Sequence, residues 1–184
     1  LFDAMAGTAQ NGPDEYRIAR FICAHTIMLA LEGVPAIYLH SLLATPNDLG
    51  TFRRTGQRRD LNRPQFKAEA VERRLQDPDS DATAVTSALG HALRVRRDQP
   101  ALHPDAAMEV LSAGRSDLVM LRRRGGGQTL VAVHNVTASR LTLALGRLGG
   151  RSGLAWADCL SGSSETHASQ LQLEPYAVHW LIQA

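Results

Sequence analysis

Apolar residues along the first hundred positions recur at helical spacing, and one short run breaks the pattern. Residues 16–31 carry apolar side chains three and four positions apart, behind a start signal that combines Asn11, Pro13 and two acids. This predicts a mostly buried helix. Residues 34–39 are almost continuously apolar, which is typical of a strand covered on both faces in a parallel sheet. Two further helices are predicted over residues 64–76 and 80–97.

Beyond residue 104 the helical period is replaced by short apolar segments separated by glycine, serine and charged turns. This pattern predicts an all-β domain. The predicted strands cover residues 108–112, 118–122, 129–134, 141–145, 154–158 and 176–182. The sequence RRRGGGQ at residues 122–128 is interpreted as a hairpin turn, because a phosphate-binding glycine loop would be followed by a helix.

The order of these elements predicts the architecture. A helix, a buried strand, a polar loop and further helices, followed by a sheet, are expected where a (β/α)8 TIM barrel gives way to an accessory domain. We therefore predict an α/β plus all-β fold. Residues 1–104 would hold the last strand and helices of a barrel, and residues 105–184 an antiparallel, β-sandwich-like C-terminal domain.

Charge changes this picture at one loop only. The net charge of the whole chain is +2, yet residues 53–63 hold five arginines and one aspartate. A local excess of this kind predicts a local anionic or polyhydroxylated ligand rather than a membrane. Nucleic acid is the competing interpretation, but a binding face for it would interleave aromatic residues, and only Phe52 and Phe66 flank this cluster. The arginines are Arg53, Arg54, Arg58, Arg59 and Arg63.

Other classes of site find little support. Cys23 and Cys159 are far apart in sequence, which argues against a disulfide framework and favours a reducing, cytoplasmic compartment. The longest apolar run, residues 21–31, is shorter than the roughly 20 residues of a membrane-spanning helix. The histidines are scattered, and SGSS at residues 161–164 lacks a nucleophile-elbow pattern. We expect no metal, no cofactor and no serine hydrolase chemistry.

Three segments carry a family resemblance. GVPAIYLHSLLATPND (residues 33–48), RRTGQRRDLNR (53–63) and LRVRRDQPAL (93–102) together resemble the end of the catalytic barrel of the α-amylase superfamily, glycoside hydrolase family 13. The sucrose phosphorylase-like branch is the most similar. The first segment resembles the family's eighth strand and the loop after it, and the terminal TLVAVHNVT and LEPYAVHWL are similar to its C-terminal β domain. Arg58 stands where the family commonly has glycine.

The resemblance implies a retaining mechanism with an aspartate nucleophile, a glutamate acid and a second, stabilising aspartate. The motifs that carry these carboxylates are not found here, so we expect the chain to be part of a longer protein and to be inactive alone. The resemblance places Arg59 on the hydroxyls of the innermost glucosyl group, with Asp60 orienting it. Further substrate-binding candidates are Arg54, Arg63, Asn47 and Asp48. The two arginines could equally pair with acids of the missing barrel, and an Asx turn after Pro46 is the favoured interpretation of Asn47 and Asp48.

These features predict that the parent protein is a glucoside phosphorylase. It would transfer a glucosyl group to inorganic phosphate, with a glucoside and phosphate as partners and neither nucleic acid nor a membrane. An α-amylase-type hydrolase or transglucosidase is the first alternative, and a noncatalytic carbohydrate-binding or interaction module the second. An uncovered strand and helix would expose apolar surface, so we also expect either the missing N-terminal part of the chain or self-association to cover it.

Overall fold

The computed structural model describes residues 1–150, 154–162 and 166–183. Positions 163 and 164 of the SGSS stretch lie outside the described residues. Within the described part, no helix has both the length and the apolar character needed to cross a bilayer.

The helices agree with most of the predicted segments. The predicted helix at residues 16–31 is confirmed, and so is the one at 80–97, whose first turn is capped by Ser80 Oγ accepting from the Thr83 N–H at 3.1 Å. The helix predicted from residue 64 begins only at Ala68. The α-helices are α1 (Arg17–Ala30), α2 (Leu39–Leu42), α3 (Leu49–Thr55), α4 (Ala68–Gln76) and α5 (Asp81–Asp98), and short 3-10 helices cover Asp3–Met5, Arg58–Asn62, Pro100–Leu102 and Leu145–Leu148.

The remaining elements form two antiparallel sheets. One sheet has the order β1-β2-β3-β8-β5-β6 and the other pairs β4 with β7. The strands are β1 (Ala107–Leu111), β2 (Leu118–Gly125), β3 (Gln128–Asn135), β4 (Leu141–Ala144), β5 (Trp156–Asp158), β6 (Thr166–His167), β7 (Gln170–Leu173) and β8 (Val178–Gln183). One apolar core joins the two sheets, with Val131 and Val133 of the first packed among Leu143 and Leu171 of the second. The predicted antiparallel, sandwich-like domain is confirmed.

The glycine-rich segment is a hairpin turn, as predicted. Gly125 pairs with Gln128, and the two residues between them, Gly126 and Gly127, have φ angles of 55° and 77°. Positive φ at both central positions defines the two-residue turn that best matches the twist of a hairpin, and glycine adopts it without a steric penalty.

The chain divides into two compact units. One comprises Leu1–Phe21 and Ala36–Gly90, and the other Ile22–Pro35 and His91–Ala184. The first unit has its own core, in which Phe2, Phe21 and Leu89 are buried. The division does not follow the predicted boundary after residue 104, because the second half of α1 and the turn after α5 are hydrogen-bonded to the sheet. The assignment of residues 1–104 to a barrel domain stays a prediction.

A buried arginine makes those hydrogen bonds within the second unit. Arg123 of β2 is fully buried, and its guanidinium donates to the carbonyls of Ala30 and Leu31 at 2.9 and 2.5 Å and of His103 and Ala106 at 2.8 and 3.0 Å. Ala30 and Leu31 lie at the end of α1, where helix carbonyls lack partners within the helix. Arg123 therefore places a positive charge at the negative end of the helix dipole and ties the helix to the sheet.

The buried strand predicted at residues 34–39 is wrong for this chain. No strand is formed there, and Val34 and Leu39 expose 82% and 60% of their surface. An apolar run becomes a covered strand only when neighbouring strands pair with it, and among the described residues none does. The sequence correctly indicated that residues 34–39 are largely apolar, but it could not indicate whether a neighbouring strand pairs with them.

We expect His134 to make folding stability depend on pH. The side chain is fully buried in β3, and burial lowers its pKa to about 4. An unfolded histidine binds its proton below about pH 6.5, so the folded state loses stability as the pH falls from there toward 4, by up to about 3 kcal/mol. Urea unfolding at pH 7 and 4.5 measures this loss. It should shrink in His134→Leu and persist in the exposed control His103→Leu; an equal loss in all three proteins would contradict the assignment.

Candidate functional site

The arginine-rich segment begins at a capped helix. Asp48 caps α3, because its Oδ1 accepts from the Thr51 N–H at 2.8 Å, and its own N–H donates to the Leu61 carbonyl at 2.7 Å. The hydrogen bonds from Thr51 hold the pKa of Asp48 below its usual range, and the charge of Arg54 acts in the same direction. The Asp48 side chain is thus used to start the helix and to join the two ends of the loop.

Asp60 is held by a threonine rather than by an arginine. Gly56 ends α3 in the left-handed conformation, with φ of 68°, and the chain then turns so that the Thr55 hydroxyl donates to Asp60 Oδ2 at 2.7 Å. The predicted role of Asp60 in orienting Arg59 is therefore not what the structure shows. The acid shapes the turn through this hydrogen bond.

The three arginines predicted to bind substrate lie at the surface of the loop. Arg54 lies in the last turn of α3, Arg59 lies in the 3-10 helix Arg58–Asn62, and Arg63 follows that helix; all three are exposed. Among the described residues, no carboxylate lies within ion-pair distance of Arg59 or Arg63. The guanidinium groups of Arg59 and Arg63 can therefore donate several hydrogen bonds to hydroxyl or anionic oxygens of a ligand.

Asp3 is a positioning residue that sequence reasoning missed. Its Oδ2 accepts from the Asn47 N–H at 2.6 Å, and its Oδ1 pairs with Arg17 Nη2 at 2.9 Å. It therefore fixes the start of the segment that leads into the cap of α3. Asp3 and Asn47 are 44 positions apart, so no local pattern could have revealed this contact.

A second feature that the sequence did not reveal is a cluster of three rings. The centre of the His40 ring lies 5.2 Å from that of Tyr38 and 5.8 Å from that of Phe66. The Tyr38 hydroxyl lies 3.4 Å from the Asn62 carbonyl, which joins this ring cluster to the arginine loop. Their spacing in sequence, with Phe66 far from the other two, gave no signal of proximity.

The arrangement is suited to binding rather than to bond cleavage. Glycoside cleavage needs two carboxyl groups facing each other across the scissile bond. Within the loop, Asp48 and Asp60 are instead engaged by Thr51 and Thr55. What the loop offers a ligand is a set of guanidinium donors beside exposed aromatic rings.

No protein-family model matches this chain, but its sequence is similar to the sequences of several phosphorylases. A glucosylglycerate phosphorylase from Allomeiothermus silvanus is 38% identical over 137 residues, which are 74% of this chain and 24% of that protein. A glucosylglycerate phosphorylase from Escherichia coli is 30% identical over 172 residues, 94% of this chain and 30% of that protein. A sucrose phosphorylase from Bifidobacterium adolescentis is 33% identical over 87 residues, and the match covers 41% of this chain and 17% of that protein. The chain thus spans less than a third of the length of these relatives.

Solved structures of one enzyme have a fold similar to that of this chain. Trehalulose synthase from Pseudomonas mesoacidophila superposes with a TM-score of 0.65 and 17% sequence identity, covering 90% of this chain and 38% of that enzyme. A variant of this synthase in complex with glucose gives a TM-score of 0.69 over 98% of this chain and 41% of the synthase. At this level of identity the likeness concerns the fold alone.

Proposed function

Because the chain belongs to the sucrose phosphorylase-like branch of the α-amylase superfamily, glycoside hydrolase family 13, we propose that the whole protein is a retaining α-glucoside phosphorylase. It transfers a glucosyl group to inorganic phosphate and releases glucose 1-phosphate. The observation that carries the proposal is the 38% identity with a glucosylglycerate phosphorylase over 74% of the chain. Two further relatives of that name support glucosylglycerate as the donor.

The proposed reaction proceeds in two displacements. A carboxylate oxygen bonds to the anomeric carbon while the bond from that carbon to the acceptor oxygen breaks, and a glutamic acid gives its proton to the departing oxygen. A phosphate oxygen then bonds to the anomeric carbon, the carboxylate leaves, and the proton of the attacking phosphate returns to the glutamate. The family motifs of these carboxylates are not matched in this chain, and we assign them to the rest of the protein.

The loop of this chain would contribute one wall of the glucosyl pocket. Arg59, which matches the family pattern RTG-x-x-RD-x-NR, donates its planar fork to hydroxyls of the glucosyl group. Arg54 and Arg63 support the phosphate or the sugar from the same loop. Asp60, Asp48 and Asn47 act by holding the loop in shape through the contacts with Thr55, Thr51 and Asp3.

Further polypeptide is proposed to cover the apolar residues that this chain exposes. Val34, Leu39 and Leu49 are at least half exposed, and residues 34–37 make no backbone hydrogen bonds within the described part of the chain. In the whole protein these residues would be covered by the polypeptide that corresponds to the part of the relatives' length that this chain does not span. Expressed alone, the chain is expected to self-associate. Multi-angle light scattering tests this, and a monodisperse monomer across a range of concentrations would contradict it.

A reducing, cytoplasmic location fits the cysteines. Cys23 and Cys159 form no disulfide, and burial raises the pKa of each thiol to about 12. Thiols in this state are poor nucleophiles and resist oxidation.

Phosphate dependence is the experiment that tests the proposed function. The whole protein is incubated with glucosylglycerate or sucrose, with and without inorganic phosphate, and glucose 1-phosphate and free glucose are measured. Sugar phosphate that forms only when phosphate is present supports the proposal. Release of glucose without phosphate would favour an α-amylase-type hydrolase, and transfer between sugars a transglucosidase. Saturable sugar binding by the chain alone, unchanged by Arg59→Ala, would favour a noncatalytic carbohydrate-binding module.

A further inference from the structure

The ring cluster of Tyr38, His40 and Phe66 is exposed although it is built of large rings. Tyr38 and Phe66 expose 49% and 38% of their surface, and His40 lies between them with interplanar angles of 57° and 52°. Tilted rings at such distances attract each other and limit the rotation of each side chain. The cluster therefore presents a fixed apolar surface with one imidazole at its centre.

One hydrogen bond holds the imidazole of His40 and another holds its backbone. Its Nδ1 lies 3.3 Å from the Thr45 hydroxyl, and the Thr45 N–H donates to the His40 carbonyl at 2.8 Å. When the Thr45 hydroxyl donates to Nδ1, the ring proton lies on Nε2, which is then a hydrogen-bond donor. Within the described residues no partner engages Nε2. The His40 ring is thus held by Tyr38, Phe66 and Thr45, and its Nε2 can still bind a ligand.

The turn that holds His40 is strained. Ala44 is buried, and its φ of 46° lies in the left-handed region that alanine disfavours. Such conformations persist only where the surrounding contacts enforce them, and they concentrate at binding and catalytic sites. The backbone here is therefore shaped to deliver Thr45 to the imidazole at a cost in stability.

The ring cluster is continuous with the proposed sugar pocket. The Tyr38 hydroxyl reaches the carbonyl of Asn62, next to Arg63, and the guanidinium of Arg74 lies 5.4 Å from the centre of the Phe66 ring. The Arg74 side chain is itself anchored, because Nη2 donates to the Leu43 carbonyl at 3.0 Å. An acceptor bound beside the glucosyl group can therefore contact the rings.

We propose that His40 is a binding residue for the acceptor, and that its Nε2 donates to the carboxylate of a glycerate-like molecule while the flanking rings pack on its carbon atoms. This inference rests on the proposed function and names the class of acceptor. Discrimination between a carboxylate and a neutral hydroxyl requires a donor that is already in place in the free protein. With Nδ1 accepting from the Thr45 hydroxyl, His40 meets this condition, whereas Arg54, Arg59 and Arg63 are exposed side chains on the loop.

The test uses the whole protein in the synthetic direction, with glucose 1-phosphate as donor and either glycerate or glycerol as acceptor. His40→Phe keeps a ring in the cluster and removes the donor, so it should raise the KM for glycerate about tenfold or more while the KM for glycerol changes little. His40→Gln retains an N–H donor and should recover part of the loss. His103→Phe, at an exposed histidine elsewhere in the chain, is the matched control.

Hydrolysis of α-glucosyl fluoride, in which water is the nucleophile and fluoride the leaving group, reports on the glucosyl pocket without glycerate or phosphate. Unchanged hydrolysis of the fluoride in His40→Phe together with a selective loss of glycerate supports the inference. Equal losses for glycerate and glycerol, a parallel loss of fluoride hydrolysis, or no change in either acceptor would overturn it and leave the phosphorylase proposal standing. If the unaltered protein neither forms nor uses glucose 1-phosphate, both proposals fail together.

Discussion

Replacing Arg59 with alanine in the whole protein is expected to lower kcat/KM for glucosyl transfer from glucose 1-phosphate by about 10²-fold or more. The proposed contact is a pair of hydrogen bonds from one rigid guanidinium to two sugar hydroxyls, which positions the anomeric carbon for attack. Arg59→Lys supplies the charge without the planar fork, so most of the loss should remain. Initial rates of phosphate release over a range of glucose 1-phosphate concentrations give the comparison.

Arg73→Ala provides the control for this experiment. Arg73 is an exposed arginine in the last turn of α4 and is not part of the arginine-rich loop. Its replacement removes the same charge and should leave kcat/KM within about twofold of the unaltered enzyme. Equal effects of Arg59→Ala and Arg73→Ala would show that the loop contributes only net charge, and would remove Arg59 from the pocket.

The largest loss of stability is expected from Arg123→Met. The substitution fills much of the same volume but leaves four carbonyls of the second unit, those of Ala30, Leu31, His103 and Ala106, without the donor that they share. Buried acceptors without partners are costly, so we expect a loss of about 3 kcal/mol or more. Urea unfolding measures this loss, and amide hydrogen exchange in β2 and β3 shows whether it is local to the sheet.

The neighbouring Arg124 is the matched control. It lies next in the same strand but is exposed, and its closest acid is Glu109 at 3.5 Å. A surface ion pair contributes little, so Arg124→Met should cost less than about 1 kcal/mol. Similar losses in the two variants would contradict the view that Arg123 acts through the buried carbonyls.

Elements set by local pattern were predictable from the sequence. The helical spacing of apolar residues indicated α1 and α5. Short apolar segments separated by glycine-rich turns indicated the strands on either side of the hairpin at Gly126 and Gly127. The short strand β7 was missed, although its sequence QLQL alternates in the way that a half-buried strand requires. Residues 34–39 show the limit of such reasoning, because apolar character does not state whether a pairing strand is present.

The candidate site was predictable in composition but not in its contacts. The loop arginines and the family pattern pointed to residues 53–63. The Thr55 partner of Asp60 could not be predicted, because a carboxylate near arginines can equally bind a hydroxyl. For Asp48 the sequence left substrate binding and a local turn open, and its side chain caps a helix. Asp3 and the ring cluster depend on chain segments that only the fold brings together.

In the proposed enzyme, Arg59 faces a glucosyl group in a pocket completed by other parts of the protein. A crystal structure of the whole protein with glucose bound would show whether this contact exists. We predict at least one guanidinium nitrogen of Arg59 within about 3.2 Å of a glucose hydroxyl oxygen. Glucose bound in the barrel with Arg59 directed into solvent, beyond the reach of any hydroxyl, would contradict the account.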